Sequence, residues 1–153
     1  MACFLFPYAK TLHMATPGKT LRSFFDQYAQ ATNKMKPSTV AGFYADNFIV
    51  AGPKGNMAYR NDEKFLQWLE ELKDFNQKTG MGSMRIVNYG ESAVSPHYLM
   101  ATVEWGVTFE KTGDELITFD ITYFVDVTGK MPRIIMYISH EDQEDAMKER
   151  GLL

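Results

Sequence analysis

The sequence predicts an α+β domain in which a curved antiparallel sheet packs against three helices from the N-terminal half. Two observations carry this. Up to Gly80 the apolar residues recur at three-four spacing in three separate stretches, the period of a helix with one buried face. Beyond Gly80 they alternate over four long stretches separated by turn residues, the period of antiparallel strands. A chain of 153 residues suits one core, since a domain of this size buries about 70% of its unfolded surface.

The elements follow in order. Residues 1–15 read as an N-terminal extension, or as a hydrophobic arm packed on the domain. The run "MACFLFPYAKTLH" has no basic residue before its apolar stretch and a proline inside it, which makes it a poor signal peptide and far too short to span a membrane. The domain proper is residues 16–153. Thr16 and Pro17 supply a cap and first-turn proline for a helix whose stripe is Leu21, Phe24, Phe25, Tyr28 and Ala29. After "NKMKP", the segment "STVAGFYA" predicts a second helix capped by Ser38 and ending near Asp46. "FIVAG" and "MAYR" then form a hairpin around "PKGN". The third helix starts near Asp62 with Asn61 as candidate cap, buries Phe65, Trp68, Leu69, Leu72 and Phe75, and stops at Gly80.

The four long strands are "SMRIVNYGESAV", "YLMATVEWGVTFE", "ELITFDITYFVDV" and "PRIIMYISH", and "EDQEDAMKERG" closes the chain as a short helix. Alternation separates their faces. Leu99, Ala101, Val103, Trp105, Val107 and Phe109 share one side with Ile117, Phe119, Ile121, Tyr123 and Val125 of the next strand. The other side carries Met100, Thr102, Glu104, Thr118, Asp120, Thr122 and Phe124. It is too apolar for a bare sheet and too polar for core, which predicts a homodimer through that face.

Composition narrows the function classes. A net charge of -3 argues against a general nucleic-acid or anionic-lipid footprint, so neither nucleic acid nor membrane is expected as a partner. Cys3 is the one cysteine, which rules out an internal disulfide and suits a cytoplasmic setting. Three dispersed histidines and that cysteine form no HxH, HExxH or CxxC spacing, so no metal is expected, and no motif calls for a cofactor. "AGPKGN" lacks the spacing of a phosphate-binding loop and reads as a hairpin turn.

The order helix, helix, short hairpin, helix and four long strands resembles the nuclear transport factor 2-like superfamily, also called SnoaL-like or ketosteroid-isomerase-like. Its local carriers are "FYADNFIVAGP" and the Thr128-Gly129-Lys130 turn, and the resemblance covers about residues 16–142. It implies a sheet curled into a cone around the helices, with a pocket at the open end. Carried across from the ketosteroid isomerases, Tyr28 falls where those enzymes place a hydrogen-bond donor to the enolate oxygen. Their general base falls on Gly52, or on Ala51 one residue off, and their second donor falls on Ile121. None of these three can move a proton, and Asp120 points away by parity.

The candidate site residues are therefore Tyr28, Trp68, Trp105, Tyr123 and Tyr137 for ligand binding, with Tyr28 as donor and the others as aromatic walls. Each is equally explained by core packing. Tyr28 and His140, the latter beside Glu141 and Asp142 at the cone's mouth, are the catalytic candidates. Tyr28→Phe is expected to weaken a ligand with little loss of folding stability. The reading is a small organic ligand in an apolar cone, with a cofactor-free lyase, isomerase or cyclase, or an interaction module, as alternatives.

Overall fold

The structure, a computed structural model, describes residues 19–153. The expected extension over 1–15, with Cys3 and His13, and the expected cap at Thr16 and Pro17 lie outside the described residues. Helix α1 (Lys19–Asn33) buries Leu21, Phe24, Phe25 and Ala29 along one stripe. Phe25 is fully buried, and its ring centroid lies 4.7 Å from that of Tyr123.

Helix α2 (Pro37–Ala41) is shorter than expected. Pro37 occupies its first turn, Lys36 and not Ser38 is the N-cap, and the helix ends at Gly42. Strand β1 (Tyr44–Gly52) begins at once, because sheet partners on both sides claim its residues: Asn47 pairs with Arg60 and Tyr44 with Ile134. An isolated helix of two turns cannot compete with a tertiary ladder. Strand β2 (Gly55–Arg60) returns through a turn in which Gly55 has φ +133°, a conformation other residues rarely adopt.

Helix α3 (Glu63–Lys78) is capped by Asp62, whose carboxylate accepts from the Lys64 and Phe65 backbone N–H groups. Asn61, the expected cap, donates instead to the carbonyls of Ala41 and Tyr44 and ties α3's entry to the start of β1. Phe65 and Leu69 are buried as expected, but Trp68, Leu72 and Phe75 are 44%, 37% and 38% exposed. The reason is placement for two of them: Trp68 and Leu72 line a cavity instead of packing into the core.

Strands β3 (Met81–Ser95), β4 (Tyr98–Phe109), β5 (Ile117–Asp126) and β6 (Arg133–Ser139) complete one sheet in the order β2-β1-β6-β5-β4-β3. All pairs are antiparallel except β1 with β6, which is parallel. Burial alternates along β5 from Ile117 to Val125 and along β4 at Ala101, Val103 and Trp105, so these sides face the helices as the parity predicts. Helix α4 (Gln143–Glu149), capped by Asp142, covers the far end. There Met147 and Leu152 pack with Val107, Phe109, Ile117 and Phe119.

Candidate functional site

The concave side of the sheet and the three N-terminal-half helices enclose a cavity of about 660 Å³. This is within the few hundred to a thousand Å³ usual for small-molecule sites. Its lining is mostly apolar and aromatic, and its mouth is marked by the exposed side chains of Met57 and Trp68. Every residue expected as ligand-binding, Tyr28, Trp68, Trp105, Tyr123 and Tyr137, lines it.

Polar contacts inside are few and specific. Tyr28, presented by α1, and Tyr44, at the start of β1, share a hydrogen bond between their hydroxyls over 2.9 Å. Trp105 on β4 donates its indole Nε1–H to Tyr123 Oη on β5, also over 2.9 Å. Tyr137 on β6 faces Tyr123 with ring centroids 6.0 Å apart. Burial pushes the Tyr28 phenol above its ordinary value, partly offset by the bond to Tyr44. Burial pushes Tyr44 well above its ordinary value, and nearby Tyr28, Tyr137 and Tyr123 add to the rise. Tyr123 is raised well by burial and Tyr28, against the Trp105 N–H, which favours the phenolate; Tyr137 is raised chiefly by burial. All four are neutral phenols at ordinary pH, so the cavity offers donor hydroxyls and no buried charge.

The carboxylates that line the cavity belong to β6's exit and to α4, and each is engaged. Asp142 accepts from Lys54 Nζ at 2.9 Å and from the Asp145 N–H as the cap of α4. Glu141 accepts from the Asp120 backbone N–H, and Glu144 pairs with Lys148. Gly52 and Ile121 line the cavity where the resemblance would require an acid, and neither carries one. Among the described residues no group of three or more His, Cys, Asp and Glu side chains converges as a metal site. No described helix is long and apolar enough to cross a membrane.

His140 is not brought to Tyr28. Its Nε2 lies 2.7 Å from Thr122 Oγ1 on the convex face, and it does not line the cavity. The cause is the register against β5: Ser139 pairs with Ile121 and faces inward, so the next residue faces outward. Its expected partners are equally occupied, Glu141 by Asp120 and Asp142 by Lys54 and α4. The His140-carboxylate pair is therefore corrected to a convex-face hydrogen bond. On that same face Glu104 and Asp120 stand directly opposite each other, like charges that repel.

Tyr44 was missed as a site residue. It falls inside "FYADNF", where the helical expectation ran to Asp46, and the irregularity between Tyr44 and Ile49 in the β1–β6 register hides its inward direction. Tyr59 was missed too; it lines the cavity from β2 and stacks on Phe48 at 5.6 Å. Its strand alternation, inward with Met57, was the signal that could have found it.

Three solved structures illustrate the likeness of the fold. One is an NTF2-like protein of unknown function from Shewanella oneidensis, with TM-score 0.66 and 15% identity, covering 82% of this chain and 100% of that one. Another is an NTF2-like protein with a cystatin-like fold from Novosphingobium aromaticivorans, with TM-score 0.66 and 9% identity over 88% and 87% of the two chains. The β subunit of benzoate 1,2-dioxygenase from Burkholderia mallei has TM-score 0.58 and 13% identity over 90% and 95%. No curated protein matches the chain. The match that reaches the family is a family profile spanning residues 19–142, from the start of α1 to the cap of α4, and by it the chain belongs to the NTF2-like proteins of the DUF6841 family.

Proposed function

We infer that residues 16–153 act as one domain that binds a small organic ligand in the cone, in a cytoplasmic setting suited to its single cysteine. The observation that carries this reading is the cavity of about 660 Å³ walled by Trp105, Tyr123, Tyr137 and Trp68, with the hydroxyls of Tyr28 and Tyr44 between them. Apolar walls with a small number of placed donors are the composition of a ligand site, whereas an interaction module would gain by filling the space with side chains. The test is a thermal-shift screen of small aromatic and polyketide-like compounds, with calorimetry on the hits. Val50→Trp, which puts an indole into the cavity from β1, is expected to abolish binding; hits that bind this variant as tightly as the parent would remove the cavity as the site.

A homodimer through the convex face is the second part of the reading. Met100, Phe124, Met136 and Ile49 lie in register across four neighbouring strands, forming one apolar row. A second copy is the occupant the row fits, because a twofold axis running along the row through Phe124 sets the row against itself. The same axis carries the Glu104 and Asp120 carboxylates of the two copies to opposite sides. Light scattering at micromolar concentration is expected to give a dimer for the parent and a monomer for Phe124→Glu. A monomeric parent ends this part of the reading.

A further inference from the structure

Counting hydrogen-bond donors inside the cavity points to a ligand class. An indole nitrogen has a hydrogen to give and no lone pair to accept with, so the Trp105–Tyr123 bond runs in one direction only. The proton of Tyr123 must then point elsewhere, and its hydroxyl donates to no described residue. Tyr28 and Tyr44 share one bond between two hydroxyls, which leaves one proton over. Tyr137 lines the cavity with no hydrogen bond to a described residue. The lining carboxylates Glu141, Asp142 and Glu144 accept from Asp120, Lys54 and Lys148, and no tyrosine of the cavity donates to them. Surplus donors surrounded by apolar walls are a cost to the empty protein that an acceptor oxygen relieves.

We propose that Tyr123, aimed by Trp105, forms with Tyr137 a donor subsite beside the Tyr28–Tyr44 pair, and that it selects flat aromatic ligands carrying an acceptor oxygen, of the aryl ketone, quinone or phenolate class. This rests on the small-molecule reading of the cavity and adds to it the direction of the polar contact. Trp105 acts as a positioning residue, since its N–H occupies an acceptor site of the Tyr123 oxygen and leaves the hydroxyl proton to be given to another group. A ligand of the same shape without an oxygen meets the same walls but leaves the donors unpaired.

The probe pair is 9-fluorenone and fluorene, which share a planar tricyclic frame and differ by the carbonyl. Calorimetry on the parent is expected to give tighter binding of fluorenone by roughly fivefold, the yield of one net hydrogen bond. The infrared carbonyl band of bound fluorenone is expected to shift to lower frequency. In Tyr123→Phe the preference and the band shift should both fall while fluorene affinity is kept, and Tyr137→Phe should reduce them in part. The parent's band requires no variant, so the measurement survives if Tyr123→Phe folds poorly. Equal affinity for the two probes overturns the donor subsite and leaves the cavity reading intact. So does a preference that survives Tyr123→Phe but is lost in Tyr28→Phe. Failure of both probes to bind removes both readings.

Discussion

Removing the Tyr28 hydroxyl tests how the cavity is held together, because its partner is less exposed than it is. Tyr44 is 6% exposed, whereas Tyr28 is half-buried; both line the cavity, and the two hydroxyls are 2.9 Å apart. In Tyr28→Phe the net bond, about 1 kcal/mol, is lost and the Tyr44 hydroxyl is left in a place that water reaches poorly, for a total of about 1 to 3 kcal/mol. In Tyr44→Phe the orphan is Tyr28, the more exposed residue of the two, so the loss is expected to stay near 1 kcal/mol. The double variant removes both partners and should cost little more than the worse single change, giving a coupling of about 1 kcal/mol. The expectation from sequence that Tyr28→Phe would cost little stability is thus replaced by a measurable loss. Urea unfolding followed by tryptophan fluorescence gives the numbers, and at this chain length 1 kcal/mol corresponds to about 2 to 4 °C in Tm. Single variants that add within about 0.3 kcal/mol, or a Tyr28→Phe milder than Tyr44→Phe, would refute the reasoning.

Other outcomes follow from the same geometry. Trp105→Ala removes a side chain that is 2% exposed and packs beside Phe25 and Tyr28, so unfolding experiments should show a loss of about 3 to 5 kcal/mol together with loss of any cavity ligand. The Asp142 carboxyl is held below its ordinary range by the Asp145 N–H and then by Lys54, so its contribution is present above the unfolded value near 4 and is lost as pH falls through the lower folded value. The protection of α4 amides, relative to their intrinsic exchange at each pH, should therefore fall as pH drops below about 4; α4 amides whose protection does not change there would contradict it. Isomerisation of a steroid enone should be slower by on the order of a hundredfold to ten-thousandfold than with a positioned base, since Gly52 and Ile121 line the cavity where the resemblance calls for acids. Efficient turnover in a direct assay, unaffected by Tyr28→Phe, would show that the assignment of those positions is wrong.

The elements that the sequence by itself determined are those whose signal is local. The stripe Leu21, Phe24, Phe25 and Ala29 needs only the period of a helix, and the inward sides of β4 and β5 need only the period of a strand. Both are seen in the burial of these residues. Parity alone also put Trp105 and Tyr123 on the helix-facing side. Three matters were decided only by tertiary structure. The first is the end of α2: sheet partners from β2 and β6 turn "FYADNF" into strand, which brings Tyr44 to Tyr28 across sixteen positions of sequence. The second is the direction of β6. Its register against β5 shifts between Ile134 and Met136, so Ile134 faces the core together with Tyr137 and Ser139 although their numbers differ in parity, and His140 is turned to the convex face. A bulge of one residue exchanges the two faces of everything after it, and nothing in "PRIIMYISH" marks where it falls. The third is the cavity. Trp68 and Leu72 continue α3's apolar stripe as surely as Phe65 and Leu69 do, yet they edge an opening, because whether an apolar face meets another surface or empty space depends on how far the curled sheet reaches, a property of all six strands together.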